Sequence, residues 1–268
     1  MTSRRVEALE PRSVQLVLHQ ARFDLLAFLR NRQARFFTLL LPVIFLVIFV
    51  SVFGNHRVGP EHGKASTFYV PGIAAMGIIG ASFVNLVISV TTQREAGVLK
   101  RRRSTPVPAS VLIAGRALTA IVVSLAVMAV LLLIGRFGYG VHLSSRTLPG
   151  IVVTAVVGAV SFCCVGYAFT TVIRNADAAQ PMVQAVILPL YFISGVFIPN
   201  VNLPTWLNDV ARVFPVEHLA DGLHHAFDPA TTGNGIVWSD LGVLALWAAT
   251  GLGIALWRFT WTPVAATS

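Results

Sequence analysis

Six apolar runs, each close to the length that crosses a bilayer, leave this chain few folds to choose from. They cover residues 36–53, 67–91, 111–134, 148–173, 181–199 and 240–258. A helix needs about 20 mostly apolar residues to span the hydrocarbon, and the first run, Phe36–Phe53, is near the minimum. Hydrophobic residues make up 55% of the chain and charged ones only 12%, a balance that excludes an ordinary soluble domain. The mean hydropathy of +0.74 points the same way. The predicted fold is an all-α integral membrane bundle of six spans. It is framed by a cytoplasmic arm over residues 1–35 and a cytoplasmic tail over 260–268, with the transmembrane domain at 36–259.

The first run follows a charged arm and ends without a small-x-small cleavage site, so it is read as a span rather than a removable signal. Residues 1–12 carry Arg4, Arg5, Glu7, Glu10 and Arg12 and are expected to be disordered. Ser13 can then cap a helix to about Arg35. At helical spacing Val14, Val17, Leu18, Ala21, Leu25, Phe28 and Leu29 share a face, while Gln15, His19, Arg22 and Arg30 lie elsewhere. That pattern predicts an amphipathic helix lying on the membrane surface. The second run is rich in glycine and alanine, which let helices approach closely in lipid. Arg116 falls near one end of the third run and is expected to snorkel to the interface.

The formal charge of +9 could suggest nucleic acid, but its placement argues for membrane topology. Arg57, Lys64, Arg136, Arg146 and Arg212 fall in the segments of one side, and the other 15 of the 20 basic residues on the opposite side. The side richer in Lys and Arg is expected to be cytoplasmic, with both termini there and anionic lipid as a general partner. Adjacent Cys163 and Cys164 rarely bridge and have no metal-ligand neighbours, so they are read as small core residues.

The most charged segment runs from Gln93-Arg94-Glu95-Ala96-Gly97-Val98-Leu99 through Lys100-Arg101-Arg102-Arg103 to Thr105-Pro106-Val107. Thr105 can cap the next helix with Pro106 at its first position. Basicity alone would make this a solvated positive-inside anchor. Its Arg-Glu-x-Gly-x-Leu and Thr-Pro-Val pattern, however, resembles the cytoplasmic coupling loop of ABC type-2 exporter permeases, the family of the daunorubicin-resistance membrane subunit. Three further stretches carry the same resemblance in the family's order. They are Arg30-Asn31-Arg32 with Phe36 to Pro42, Ser194-Gly195-Val196-Phe197-Ile198-Pro199, and Leu203-Pro204-Thr205-Trp206-Leu207 followed by Phe214-Pro215-Val216-Glu217-His218. Gln93 departs from the acidic residue that often opens the family's loop, and the run after Leu99 is more basic than usual.

The resemblance implies a permease subunit of an ATP-driven exporter. Two such subunits, identical or related, would pair, and two ATPase chains would dock beneath them. ATP and magnesium would be bound by those partners and no cofactor by this chain. Gln93, Arg94, Glu95, Gly97, Leu99, Lys100, Arg101, Thr105 and Pro106 would form the coupling segment. Met76, Phe83, Asn85, Gln184, Tyr191 and Phe192 are the side chains expected along the substrate pathway. Between the last two spans, three prolines break residues 200–238 into pieces too short to cross and too apolar for a plain loop. Short re-entrant helices are predicted there, with Phe197, Trp206, Phe214, Glu217 and His218 closing the outer end.

The residues also weigh against other chemistry. No run has a carboxylate in its interior, which disfavours an ion-coupled carrier. Gly59-Pro60-Glu61-His62-Gly63-Lys64-Ala65 is one residue short of a P-loop and lacks its Ser or Thr. The Glu217-His218 pair lacks a third metal ligand at suitable spacing, and no catalytic residue is expected. With so few polar groups in the spans, the cargo is expected to be lipophilic: a drug-like molecule, lipid or glycolipid. The alternative reading is a non-transporting membrane scaffold or assembly factor that binds lipid through the basic loop.

Overall fold

The structure is a computed structural model and describes residues 11–53, 65–98, 109–141, 144–199 and 203–258. Among these residues the secondary structure is helical, without strands. The helices are α1 (Pro11–Arg30), α2 (Arg32–Phe53), α3 (Ser66–Glu95), α4 (Ala109–Tyr139), α5 (Leu148–Thr170), α6 (Ala176–Ile193), α7 (Thr205–Ala211), α8 (Pro215–Phe227) and α9 (Trp238–Arg258). Six of them, α2 to α6 and α9, are long and apolar enough to cross a membrane and form spans 1 to 6. Residues 1–10 and the tail from 259 onward, with the expectations placed on them, lie outside the described residues.

Local chemistry sets the helix ends. Asn31 leaves the helical region at φ −83°, ψ 102°, and its side-chain oxygen accepts from Ala34 N at 3.0 Å. This cap separates α1 from span 1. Span 1 widens into a π turn over Phe36–Leu40, immediately before Pro42, whose ring and missing N–H an ordinary turn tolerates poorly. A second π turn, Gly80–Val84, interrupts span 2. Span 5 begins earlier than the sequence suggests. Asn175 caps it by accepting from Ala178 N at 2.9 Å, so Pro181 lies inside the helix rather than at its start. It also ends earlier, at Ile193, before a turn in which Gly195 adopts φ +71°.

Spans 2 and 4 are the core. In the most apolar window of span 2, 72% of residues are buried, against 17% for span 6. Small residues set the close approaches. A Cβ on Gly251 of span 6 would lie 2.7 Å from the Cys164 backbone of span 4. A Cβ on Gly158 would lie 2.6 Å from Leu219 of α8, and one on Gly222 of α8 would lie 3.0 Å from Thr154. Dense packing replaces hydrophobic drive between helices in lipid. Cys163 and Cys164 are free and buried.

The same contacts give the register of α8. Leu219 meets Gly158, ten residues along span 4 and so about 15 Å from its start. Ala226 lies instead beside Gly235, next to Thr147 at that start. The helix therefore runs alongside the first half of span 4, in the opposite direction. Leu219, Ala220 and Leu223 are fully enclosed.

α1 packs on the bundle through part of its predicted apolar face. Its buried side chains are Ala21, Asp24 and Phe28, turned toward span 3, where Gly115 sits against Gln20 and Ala21. Val14, Leu18 and Leu29 remain exposed.

Candidate functional site

The segment after span 2 leaves the bundle through a short turn. Ala96 N donates to Thr92 O at 3.0 Å and Gly97 N to Arg94 O at 3.1 Å. Gly97 adopts φ +69°, a conformation glycine reaches without a steric penalty. A Cβ there would meet nothing within 4 Å. Within this chain Gly97 therefore serves the helix end, not a close approach. Leu99, Lys100, Arg101, Thr105 and Pro106 lie outside the described residues.

The two charged residues before the turn face inward and sideways. Arg94 is only 3% exposed. Its guanidinium donates to Thr170 O at 2.9 Å and also to Ile173 O. Thr170 ends span 4, where the helix leaves acceptors unsatisfied and the dipole is negative, and Ile173 lies just beyond that end. Glu95 is exposed, and its Oε2 accepts from Ala176 N, the first residue of span 5, at 2.7 Å. A carboxylate there meets orphan N–H groups and the positive end of a dipole. Within this chain, burial and two backbone acceptors hold Arg94 inside the bundle.

On the other face of the same helix end, Ser89 accepts from Arg116 Nη1 at 2.9 Å and from Gln93 Nε2 at 3.1 Å. The Arg116 Nε lies 3.4 Å from Asp24 Oδ2, and both side chains are largely buried. Thr119 Oγ1 also donates to Ala21 O at 3.2 Å. Arg116 is therefore paired between α1, span 2 and span 3 instead of snorkelling. Asp24 was not legible as its partner from proximity in sequence. The available signal was a carboxylate on the apolar side of α1, three residues from Ala21 and four from Phe28.

The opposite end of the bundle holds the residues expected to close the pathway. Phe197 is buried and stacks on Phe45 and Phe49 of span 1, with ring centroids 5.6 and 5.3 Å away. Phe214 stacks on Trp247 of span 6 at 6.5 Å, and Trp247 Nε1 donates to Val213 O at 3.0 Å. His218 contacts Asp240 at 2.9 Å through Nδ1 and Arg212 O at 2.9 Å through Nε2. Glu217 is buried, with Arg212 Nε 4.0 Å from it. Burial pushes its carboxyl up to about 7, Asp221 adding to this while His218 and Arg212 oppose it. Trp206 stands apart, 65% exposed. Nearby, Thr67, Asp221, His224, His225, Asp228 and Asp240 line a cavity of about 300 Å³. Among the described residues no three His, Cys, Asp or Glu side chains converge as a metal site.

The pathway candidates divide. Tyr191 and Met76 are buried together, the tyrosine hydroxyl donating to Met76 O at 3.5 Å. Phe83 is buried between Phe162 of span 4 and Phe169. Asn85 and Gln184 are half-buried, and Phe192 is exposed beside Phe197.

Six membrane-length helices, two of them forming the core, with their charged residues near the helix ends, define a multi-pass membrane protein. Residues 16–227 match the family described as ABC-2 type transporter, and the chain belongs to that family. It is similar to the inner membrane transport permease YadH of Escherichia coli strain K12, 26% identical over 194 residues, covering 71% of this chain and 75% of that one. The probable multidrug ABC transporter permease YbhR of the same strain is 25% identical over 183 residues, 68% of this chain and 49% of its own. The daunorubicin resistance ABC transporter permease protein DrrB1 of Streptomyces coeruleorubidus is 23% identical over 182 residues, 68% of this chain and 64% of its own.

Proposed function

We propose that this chain is the membrane-spanning subunit of an ATP-driven exporter in a bacterial inner membrane, with both termini cytoplasmic. Two permease subunits pair, two ATPase chains dock on the segment around residues 93–106, and those chains bind ATP and magnesium. The cargo is lipophilic: a drug, a lipid or a glycolipid. It passes near Met76, Phe83, Asn85, Gln184, Tyr191 and Phe192. α7 and α8 are re-entrant and close the outer end, with Phe197, Phe214, Glu217 and His218 anchoring them and Trp206 facing outward.

The observation that carries this reading is the family match across all but the last span. The excess of Lys and Arg on the side of the 93–103 segment supports the orientation. The paucity of polar groups within the spans supports a lipophilic cargo. The test is co-purification of the tagged chain with an ATPase from its own bacterial membrane. ATP hydrolysis by that partner should respond to reconstitution with this chain. A chain that isolates without any ATPase, and export that survives deletion of residues 93–103, would end the reading and favour the scaffold.

A further inference from the structure

The last two turns of span 2 reach the near ends of spans 3, 4 and 5, and through span 3 also α1, by two opposed sets of polar contacts. One set is Arg94 on the last carbonyl of span 4 and on Ile173 O just beyond it, with Glu95 on the first N–H of span 5. The other is Ser89, which gathers Arg116 of span 3 and Gln93, with Arg116 in turn paired to Asp24 of α1. Thr119 closes the second set on the α1 backbone. The geometry points to a polar hub at residues 89–95 that locks α1 and the adjoining ends of spans 2 to 5 into one body.

Three physical features make this more than a collection of surface contacts. The two cationic members are held inside the bundle, Arg94 almost completely and Arg116 largely, where charge-assisted bonds are shorter of alternatives than at the surface. Arg94 and Glu95 act on facing ends of successive helices, one satisfying acceptors and the other a donor, so the short connection between spans 4 and 5 is held from both sides. Finally, the two sets leave span 2 on different faces, so neither can substitute for the other. Arg94, Glu95, Ser89 and Arg116 are thereby positioning residues. Resting on the coupling role proposed above, the hub means that a displacement of the segment after Gly97 reaches spans 4 and 5 through one set and span 3 with α1 through the other.

The test measures distances in the full chain in lipid nanodiscs by spin labelling. Thr92, Asp177 and Arg22 are exposed, whereas the native Cys163 and Cys164 are buried and are left in place. One labelled pair, Thr92→Cys with Asp177→Cys, reads span 2 against span 5. A second, Thr92→Cys with Arg22→Cys, reads span 2 against α1. Both distributions are narrow in the parent chain. Glu95→Ala, which removes the acceptor at an exposed site, makes the first distribution about twofold broader and leaves the second narrow. Asp24→Ala does the reverse. Arg94→Gln serves as a stronger version of the first variant. Narrow distributions throughout, or broadening of both pairs by either variant, overturn the hub. These measurements need no ATPase, so their failure is separate from a failure of the coupling reading, which co-purification decides.

Discussion

Gly97 and Glu217 show how much a single residue's setting can differ from its type. Gly97 holds φ +69° at the end of span 2, where an L side chain costs roughly 1–2 kcal/mol. Gly97→Ala should therefore fray the turn, raising amide exchange at residues 96 and 97 by about 5- to 30-fold. Gly242→Ala, at a glycine in open space, is the control. Equal exchange in both variants would mean that the turn does not depend on glycine. For Glu217 the raised carboxyl sets a sign. The contribution to stability is complete below its ordinary value of 4.5 and is lost as pH rises through about 7. His218 is raised as well, chiefly by its bond to Asp240. Its contribution is present below its ordinary value and disappears above the raised one. Both signs agree, so thermal stability in detergent should fall as pH rises from about 4.5 through about 7, His218 adding to the fall above its ordinary value. Glu217→Gln should flatten that slope, and an unaltered slope would show that the carboxyl is ionised throughout.

At the scale of helices, Phe214 and Trp206 part company. Phe214 is pinned to span 6 by its stack on Trp247 and the bond to Val213 O. Phe214→Asp should lower stability by roughly 1–3 kcal/mol, and Trp206→Asp by no more than about 0.5 kcal/mol. Comparable losses for both, in a thermal melt of the purified protein, would place Trp206 inside the packing. The six spans were legible because apolar runs of that length have one use. The start of span 5 was less so, since Pro181 looks like a first residue until Asn175 is seen capping the helix further back. Arg94 was hidden differently. It opens a run of charges that reads as a solvated loop, and only the arrival of Thr170 and Ile173 from far along the chain turns it inward. Arg116 was legible as a charge at a helix end, but its partner Asp24 lies on another helix and no local pattern links them.

For the whole molecule, the distribution of charge makes a statement about sidedness. Thr232, between α8 and α9, and Asp177, at the start of span 5, are both exposed and lie at opposite ends of the bundle. In intact cells, a cysteine in Thr232→Cys should react almost fully with an impermeant thiol reagent and one in Asp177→Cys hardly at all. The reverse pattern would invert the proposed orientation while leaving the fold untouched.

Arg94 also imposes an order in time. Its acceptors lie 76 and 79 residues downstream. At a synthesis rate of about 5–20 residues per second, the guanidinium waits roughly 4 to 15 s before span 4 exists to receive it. Through that interval neither of its backbone acceptors has been made. The final seating of spans 2 and 4 then follows the synthesis of Ile173, and a chain cut short before Thr170 leaves this guanidinium without the acceptors it has in the folded protein.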